Sequence, residues 1–95
     1  MKLFELGNIT MTPAAISIIA KFKVAIGDLL DRHERGDYGD VSEVDWRENT
    51  LALLPESVER VMSVYNVGTA KKAERLWVIT DPDRKTTTLL TEEDF

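Results

Sequence analysis

Four side chains in this sequence of 95 residues have the chemistry of an acid–base site that acts on a phosphate ester. His33 is the only histidine, and an imidazole that titrates near neutral pH suits a general acid or base. Arg60 and Arg84 provide guanidinium groups that hold phosphate, and Tyr65 provides a phenol that donates hydrogen bonds. If the fold brings His33, Arg60, Tyr65 and Arg84 into one cleft, they form the catalytic set of a small metal-independent ribonuclease or toxin-like protein.

The stretch RHERGDYGD, residues 32–40, opens a second group of candidate residues. Seven acidic residues against three arginines give residues 31–48 a net charge of −4, out of −5 for the chain, and we call this stretch the acidic turn region. It mixes carboxylates, aromatic rings and an amide, which suit helix capping and turn bonding as well as recognition of a partner. The candidate binding residues are Asp37, Tyr38, Asp40, Asp45, Trp46 and Asn49.

Several function classes are excluded by missing residues and motifs. The chain has no cysteine and one histidine, which excludes disulfides, a cysteine nucleophile and ordinary zinc sites. The acidic turn region lacks the spacing of a calcium loop, and the chain has no P-loop, GxGxxG, GxSxG or HExxH motif. The sequence therefore predicts neither a metal site nor a cofactor, and it favours a protein without enzymatic activity.

Charge and hydropathy limit the partners and the location. A net charge of −5 argues against a protein that binds nucleic acid directly. The longest mostly apolar stretch, AAISIIA, is far shorter than the roughly 20 residues that cross a bilayer, and no basic segment precedes an apolar run at the N-terminus. We therefore expect a cytoplasmic protein with no membrane contact.

The first half of the chain reads as a short strand followed by helix. The strand lies in KLFELGNITMT, and Thr12 followed by Pro13 is a helix-start signal. Apolar residues then recur at spacings of three and four up to His33, which fits a partly buried histidine whose charged form the helix C-terminus favours. Gly27 weakens this periodicity, which predicts two helices, or one helix bent between residues 23 and 27, ending at Gly36.

The second half reads mainly as sheet. Ser42 is a candidate cap for a short helical turn, which an extended piece follows. The segments VERVMSVYNV, RLWVIT and TTTLLT are rich in strand formers, and short connections between them predict antiparallel neighbours. The chain is thus predicted to be a single α+β domain spanning residues 1–95, with two N-terminal helices or one bent helix packed on a C-terminal antiparallel three- to four-stranded meander sheet.

Strand alternation divides the sheet residues between two faces. Arg60, Met62 and Val64 share one face, and Ser63 and Tyr65 share the other. One face must cover the helices, which leaves the other open to solvent. A polar open face that carries Ser63, Tyr65 and threonines beside arginines could bind RNA or phosphate, and threonines on the wet side of ordinary strands explain the same pattern.

Several stretches together resemble a known family, namely ITMTPAA, RHERGDYGDVSEVDWREN, RVMSVY, RLWVITDPDRKTTTLL and EEDF. The family consists of small uncharacterised proteins that bacterial plasmids and integrative conjugative elements carry, described as plasmid-related or hypothetical. The resemblance covers nearly the whole chain, and its most specific parts are the RHxxGDYG turn, the spacing of Asp45 and Asn49, and the WVITDPDRKTT hairpin. It implies a setting on a mobile genetic element and implies no chemistry.

Two functions follow as hypotheses. The first is a non-catalytic protein-interaction module of a mobile element, whose acidic turn region binds a protein partner, such as a basic nucleic-acid-handling protein. A homodimer is also expected, because the strand at residues 86–90 would leave an edge that needs cover. The alternative is the small ribonuclease or toxin-like protein, which depends on convergence of the candidate catalytic set.

Overall fold

Three helices and a four-stranded sheet make up the fold, and the structure, a computed structural model, describes residues 1–95. The strands are β1 (Asn8–Met11), β2 (Val61–Asn66), β3 (Arg75–Thr80) and β4 (Thr86–Leu90). The helices are α1 (Pro13–Phe22), α2 (Ile26–Glu34) and α3 (Glu43–Ala52), and a short 3₁₀ helix spans Glu92–Asp94.

The sheet is mixed, with strand order β1-β4-β3-β2. The predicted α+β class is confirmed, and β2, β3 and β4 form the predicted antiparallel meander. The sheet as a whole departs from a meander, because β1 pairs parallel to β4 across a connection that contains all three helices. β4 is therefore an interior strand, and the edge that residues 86–90 were expected to expose does not exist.

The predicted break between the first two helices is confirmed. Thr12 caps α1 by accepting a hydrogen bond from the Ala15 N–H at 3.1 Å, and Pro13 occupies the first helical position. α1 ends at Phe22, because the next residue, Lys23, adopts a left-handed conformation with φ of 51°, and α2 begins at Ile26. The chain thus forms two helices, as the weakened periodicity around Gly27 predicted.

The third helix was predicted wrongly as a short turn followed by an extended piece. Ser42 does cap it, accepting from the Asp45 N–H at 3.1 Å, but the helix then continues to Ala52. The apolar residues of this segment do not mark its buried face, because Leu51 is half exposed, whereas Asn49 and Ala52 are buried. A helix whose buried face centres on an amide has no apolar stripe for the sequence to reveal.

The core lies between one face of the sheet and helices α1 and α2. Tyr65, Leu76, Val78 and Leu89 project from the sheet onto Ala15 and its neighbours in the two helices. A second, smaller apolar cluster lies at the β2 edge, and it consists of Tyr38, Ala52 and Val61, with Phe4, Val41 and Leu53 packed around them. Through the second cluster, α3 packs beside the β2 edge of the sheet.

Helices α1 and α2 pack on the core face and leave the opposite face of the sheet uncovered. Met62, Trp77 and Leu90 are partly exposed there, and Phe95 packs edge-on against Trp77 with ring centroids 5.5 Å apart. This open face is more apolar than the sequence indicated. Ser63 and Tyr65 instead lie on the helix side and are buried, which corrects the expected polar open face.

Candidate protein-binding surface

The polar residues of the helix side form one continuous buried chain of hydrogen bonds. His33 Nδ1 lies 2.5 Å from Ser63 Oγ, and His33 Nε2 lies 2.9 Å from Thr80 Oγ1. The Thr80 hydroxyl contacts the Thr87 hydroxyl at 2.7 Å, and Thr87 donates to the Leu6 carbonyl at 2.7 Å. All four side chains are fully buried, and no buried side-chain polar atom in the protein is left without a partner.

The last hydrogen bond of this series, from Thr87 to Leu6, determines the donor and the acceptor of every other bond in it. Thr87 donates to Leu6 O, so Thr87 must accept from Thr80, and Thr80 must accept from Nε2–H of His33. Nδ1 of the neutral ring then accepts from Ser63. Burial, with a smaller effect from the positive charge of Arg84, lowers the pKa of His33 from 6.5 to about 4.

His33 is therefore a neutral structural histidine, which belongs to α2 and is buried between that helix and the sheet. Its charged form is disfavoured, which corrects the expectation that the end of the helix would favour protonation. Phe4 packs edge-on against the ring at a centroid distance of 5.1 Å and covers it further. The imidazole has both nitrogens bonded and no contact with solvent, so it cannot transfer a proton to a bound substrate in this conformation.

Arg84 holds the backbone of two other segments together. It lies in the turn between β3 and β4 and has φ of 60°, a left-handed value that costs a non-glycine residue about 1 kcal/mol or more. Its guanidinium donates to the carbonyls of Ala52, Glu59 and Asp81 at 2.7, 3.0 and 3.1 Å. The side chain thus caps the end of α3 and ties it to the hairpin.

Replacing Arg84 with lysine is expected to lower the free energy of unfolding by about 2 kcal/mol. A single ammonium group cannot reach the three carbonyls that the planar guanidinium bonds at once. Urea denaturation measures the change, and Arg60→Lys is the matched control, because Arg60 is exposed and makes no hydrogen bond or ion pair. Equal stability of the two variants would contradict this role for Arg84.

The candidate catalytic residues are mostly engaged in bonds within the protein. His33 is enclosed, and the Tyr65 hydroxyl, buried beside it, donates to the Asp37 carbonyl at 2.6 Å. Burial raises the pKa of Tyr65 to about 12. Arg84 is engaged with carbonyls, and Arg60 lies exposed at the start of β2. His33, Tyr65 and Arg84 thus have their polar groups bonded within the protein, and a catalytic role for them stays a prediction.

The turn at residues 37–40 covers the outer edge of β2. Val64 donates to the Tyr38 carbonyl at 3.0 Å and accepts from the Asp40 N–H at 2.7 Å, an isolated parallel bridge centred on Gly39. Gly39 has φ of 72°, and a Cβ there would lie 2.2 Å from the Val64 carbonyl oxygen. The backbone can approach β2 this closely only at glycine. The Tyr38 ring is buried, and burial raises its pKa.

Asn49 completes the cover of the same edge. Its Nδ2 donates to the Met62 carbonyl at 2.7 Å, and its Oδ1 accepts from the Met62 N–H at 2.9 Å. The amide thus takes the place of a neighbouring strand for one residue. Because Asn49 and Tyr38 are buried at 3% and 2% exposure, these two candidate binding residues have structural roles.

Asp37 is also engaged within the turn. Its carboxylate accepts from Nε of Arg32 at 2.8 Å, and this contact raises the pKa of Arg32 and lowers the pKa of Asp37. The Arg32 guanidinium lies 4.5 Å from the centre of the Tyr65 ring. Because both charged side chains are about half exposed, the pair contributes little to stability.

Asp40, Asp45 and Trp46 remain as the candidate binding residues available to a partner. Trp46 is 41% exposed and packs edge-on against Tyr38 at 5.2 Å, which holds its ring in place. The outward side of α3 adds residues that the sequence did not single out. We call the exposed or partly exposed set the α3 surface, and it consists of Asp40, Glu43, Val44, Asp45, Trp46, Glu48 and Leu51.

The α3 surface combines free carboxylates with exposed apolar groups. The ion pairs in the structure are Arg32 with Asp37 and Lys72 with Glu74, so none of its four acids is neutralised by a salt bridge. Val44 and Leu51, seven residues apart on one side of the helix, are 63% and 50% exposed. Arg60 lies beside it, in a cleft of about 190 Å³ that Asp45 and Glu48 help to line.

Comparisons with known proteins add no relative. No family model, curated protein or solved structure matches the chain. No helix has the length and apolar character needed to cross a bilayer, and no three His, Asp or Glu side chains are grouped to hold a metal ion. Inference about function therefore depends on the chain's own geometry.

Proposed function

We propose that the protein is a non-catalytic accessory protein of a mobile genetic element that binds a protein partner in the cytoplasm through the α3 surface. The mobile-element setting rests on the resemblance of the motifs. The binding role rests on one observation, which is that four carboxylates without ion-pair partners share a single helix and its approach with exposed Val44, Trp46 and Leu51, against one exposed base, Arg47.

This combination of groups favours a partner with basic and apolar residues side by side. Exposed carboxylates attract lysine and arginine and accelerate encounter, while apolar side chains and the indole of Trp46 supply the area that holds the complex. A basic amphipathic helix from a nucleic-acid-handling protein has this chemistry. The phosphate backbone of a nucleic acid does not suit this surface, because the carboxylates would repel its negative charge.

A defined peptide tests the proposal. The probe is a synthetic 18-residue helical peptide with lysines on one face and leucines on the other, titrated into the protein in 50 mM and 300 mM salt. We expect binding that weakens with salt, and Glu48→Lys should weaken it about tenfold at low salt by replacing attraction with repulsion. Leu51→Ser should weaken it at both salt concentrations, because it removes apolar contact.

The matched control is Glu92→Lys, which makes the same charge change in the 3₁₀ helix, away from the α3 surface. It should bind the peptide nearly as tightly as the unchanged protein does. If Glu92→Lys and Glu48→Lys weaken binding equally, the attraction comes from net charge and the proposed surface is wrong. An absence of binding at 50 mM salt would also count against the proposal.

A further inference from the structure

One edge of the sheet is unprotected. The Asn8 N–H donates to the Lys85 carbonyl at 2.8 Å, and the Thr12 N–H donates to the Leu89 carbonyl at 3.0 Å. Because alternate residues of a parallel strand bond to the same neighbour, Thr10 also bonds β4, whereas Ile9 and Met11 direct their N–H and C=O groups away from the sheet. All four residues of β1 are exposed.

The opposite edge of the sheet, at β2, has its outward backbone groups covered. Met62 and Val64, the outward-bonding residues of β2, have both backbone groups bonded by Asn49 and by the turn around Gly39. β1 has no such cover. Its sequence, NITM, contains no charge and no proline, which are the usual devices that keep edge strands from pairing.

β1 is self-complementary about a two-fold axis through Thr10. Antiparallel pairing of two copies in this register places Ile9 of each opposite Met11 of the other, and these pairs exchange four N–H to C=O bonds. Each outward-facing backbone group of β1 then has a partner. Ile9 and Met11, 37% and 38% exposed, meet as apolar pairs, and Thr10 faces its own copy.

We propose that two copies of this chain associate through antiparallel β1–β1 pairing, which joins their sheets into one sheet of eight strands. The proposal is independent of the α3 surface, which lies at the opposite edge of the sheet. Four residues form an edge of about 14 Å, which buries less than the roughly 800 Å² per partner of a standard interface. The dimer is therefore weak, with a dissociation constant on the order of 100 μM.

Sedimentation of the full chain between 5 μM and 1 mM tests the association. The mass should rise from 10.8 kDa towards twice that value over this range. Thr10→Lys should keep the protein monomeric, because it places two like charges directly opposite each other at the axis. A wild-type mass that stays monomeric at 1 mM would overturn the proposal, as would a Thr10→Lys variant that still dimerises.

Single cysteines test the register, because the chain has none of its own. Oxidised glutathione should convert Thr10→Cys to a disulfide-linked dimer, since facing residues at a non-hydrogen-bonded pair have Cα atoms about 4.5 Å apart. Asn8→Cys is the matched control on the same strand and face, and its two copies would lie about 14 Å apart along the strand. Equal cross-linking of both variants would overturn the proposed pairing.

Discussion

Acidification from pH 7 to pH 4 is expected to lower the free energy of unfolding by about 3 kcal/mol through His33 alone. The pKa of this imidazole falls from 6.5 to about 4 in the folded protein because the ring is buried. Between these values the unfolded chain binds a proton that the folded protein does not, so stability falls as pH falls. The contribution is complete above pH 6.5 and is lost towards pH 4.

Urea denaturation of the protein and of a His33→Leu variant, at pH 7 and at pH 4, isolates this effect. The variant is less stable at pH 7, because Ser63 and Thr80 lose their bonding partner. Its stability should nevertheless fall by about 3 kcal/mol less than that of the unchanged protein between the two pH values. Carboxylates such as Asp37 titrate in both proteins and cancel in the difference. Parallel loss in both proteins would contradict a neutral His33.

Replacing Asn49 with alanine is expected to lower the free energy of unfolding by about 3 kcal/mol. The substitution removes both hydrogen bonds to Met62 and leaves that N–H and C=O without partners at a buried edge. It also opens a small cavity between α3 and β2, because Asn49 is 3% exposed. Thermal or urea unfolding measures the loss.

Two further variants show whether the amide acts as a donor and acceptor pair. Asn49→Asp keeps the acceptor for the Met62 N–H but sets a carboxylate against the Met62 carbonyl. It should be less stable than the unchanged protein at pH 7, and the difference between the two proteins at the same pH should shrink on acidification, when the protonated carboxyl can donate. Glu48→Ala, exposed on the same helix, should change stability by less than about 0.5 kcal/mol. Helix propensity cannot account for a loss at either position, because alanine is the stronger helix former, so a comparable loss in Glu48→Ala would contradict a specific role for the Asn49 amide.

The parts of the fold that were predicted correctly depend on neighbours in sequence. Thr12 and Ser42 bond amides three residues later, and Gly36 adopts a left-handed conformation at the end of α2, so each signal acts within one helical turn. The parallel pairing of β1 with β4 joins residues nearly 80 positions apart, and neither strand carries a local mark of its partner. This long-range pairing makes β1 an edge strand and β4 an interior strand.

The candidate site was predicted in part, for a physical reason that Asn49 and Tyr38 illustrate. A buried amide that bonds a sheet edge and an exposed amide that bonds a partner have the same local sequence context. Only the three-dimensional arrangement shows that Asn49 faces Met62. His33 is similar, because its partners Ser63 and Thr80 come from strands that follow 30 and 47 residues later. Strand alternation placed Ser63 on the same face as Tyr65. That shared face was the one feature of the sequence from which a buried row of polar side chains could have been predicted.

The pairing of β1 with β4 has a consequence for synthesis of the protein on the ribosome. β1 is translated well before its partner strand, which begins at Thr86, so β1 has no partner until residues 86–90 have been made. The nascent chain therefore carries an uncharged strand and the apolar side of α1 without their sheet. The sheet is therefore expected to close only after residues 86–90 have left the ribosome, with β1 joining it last.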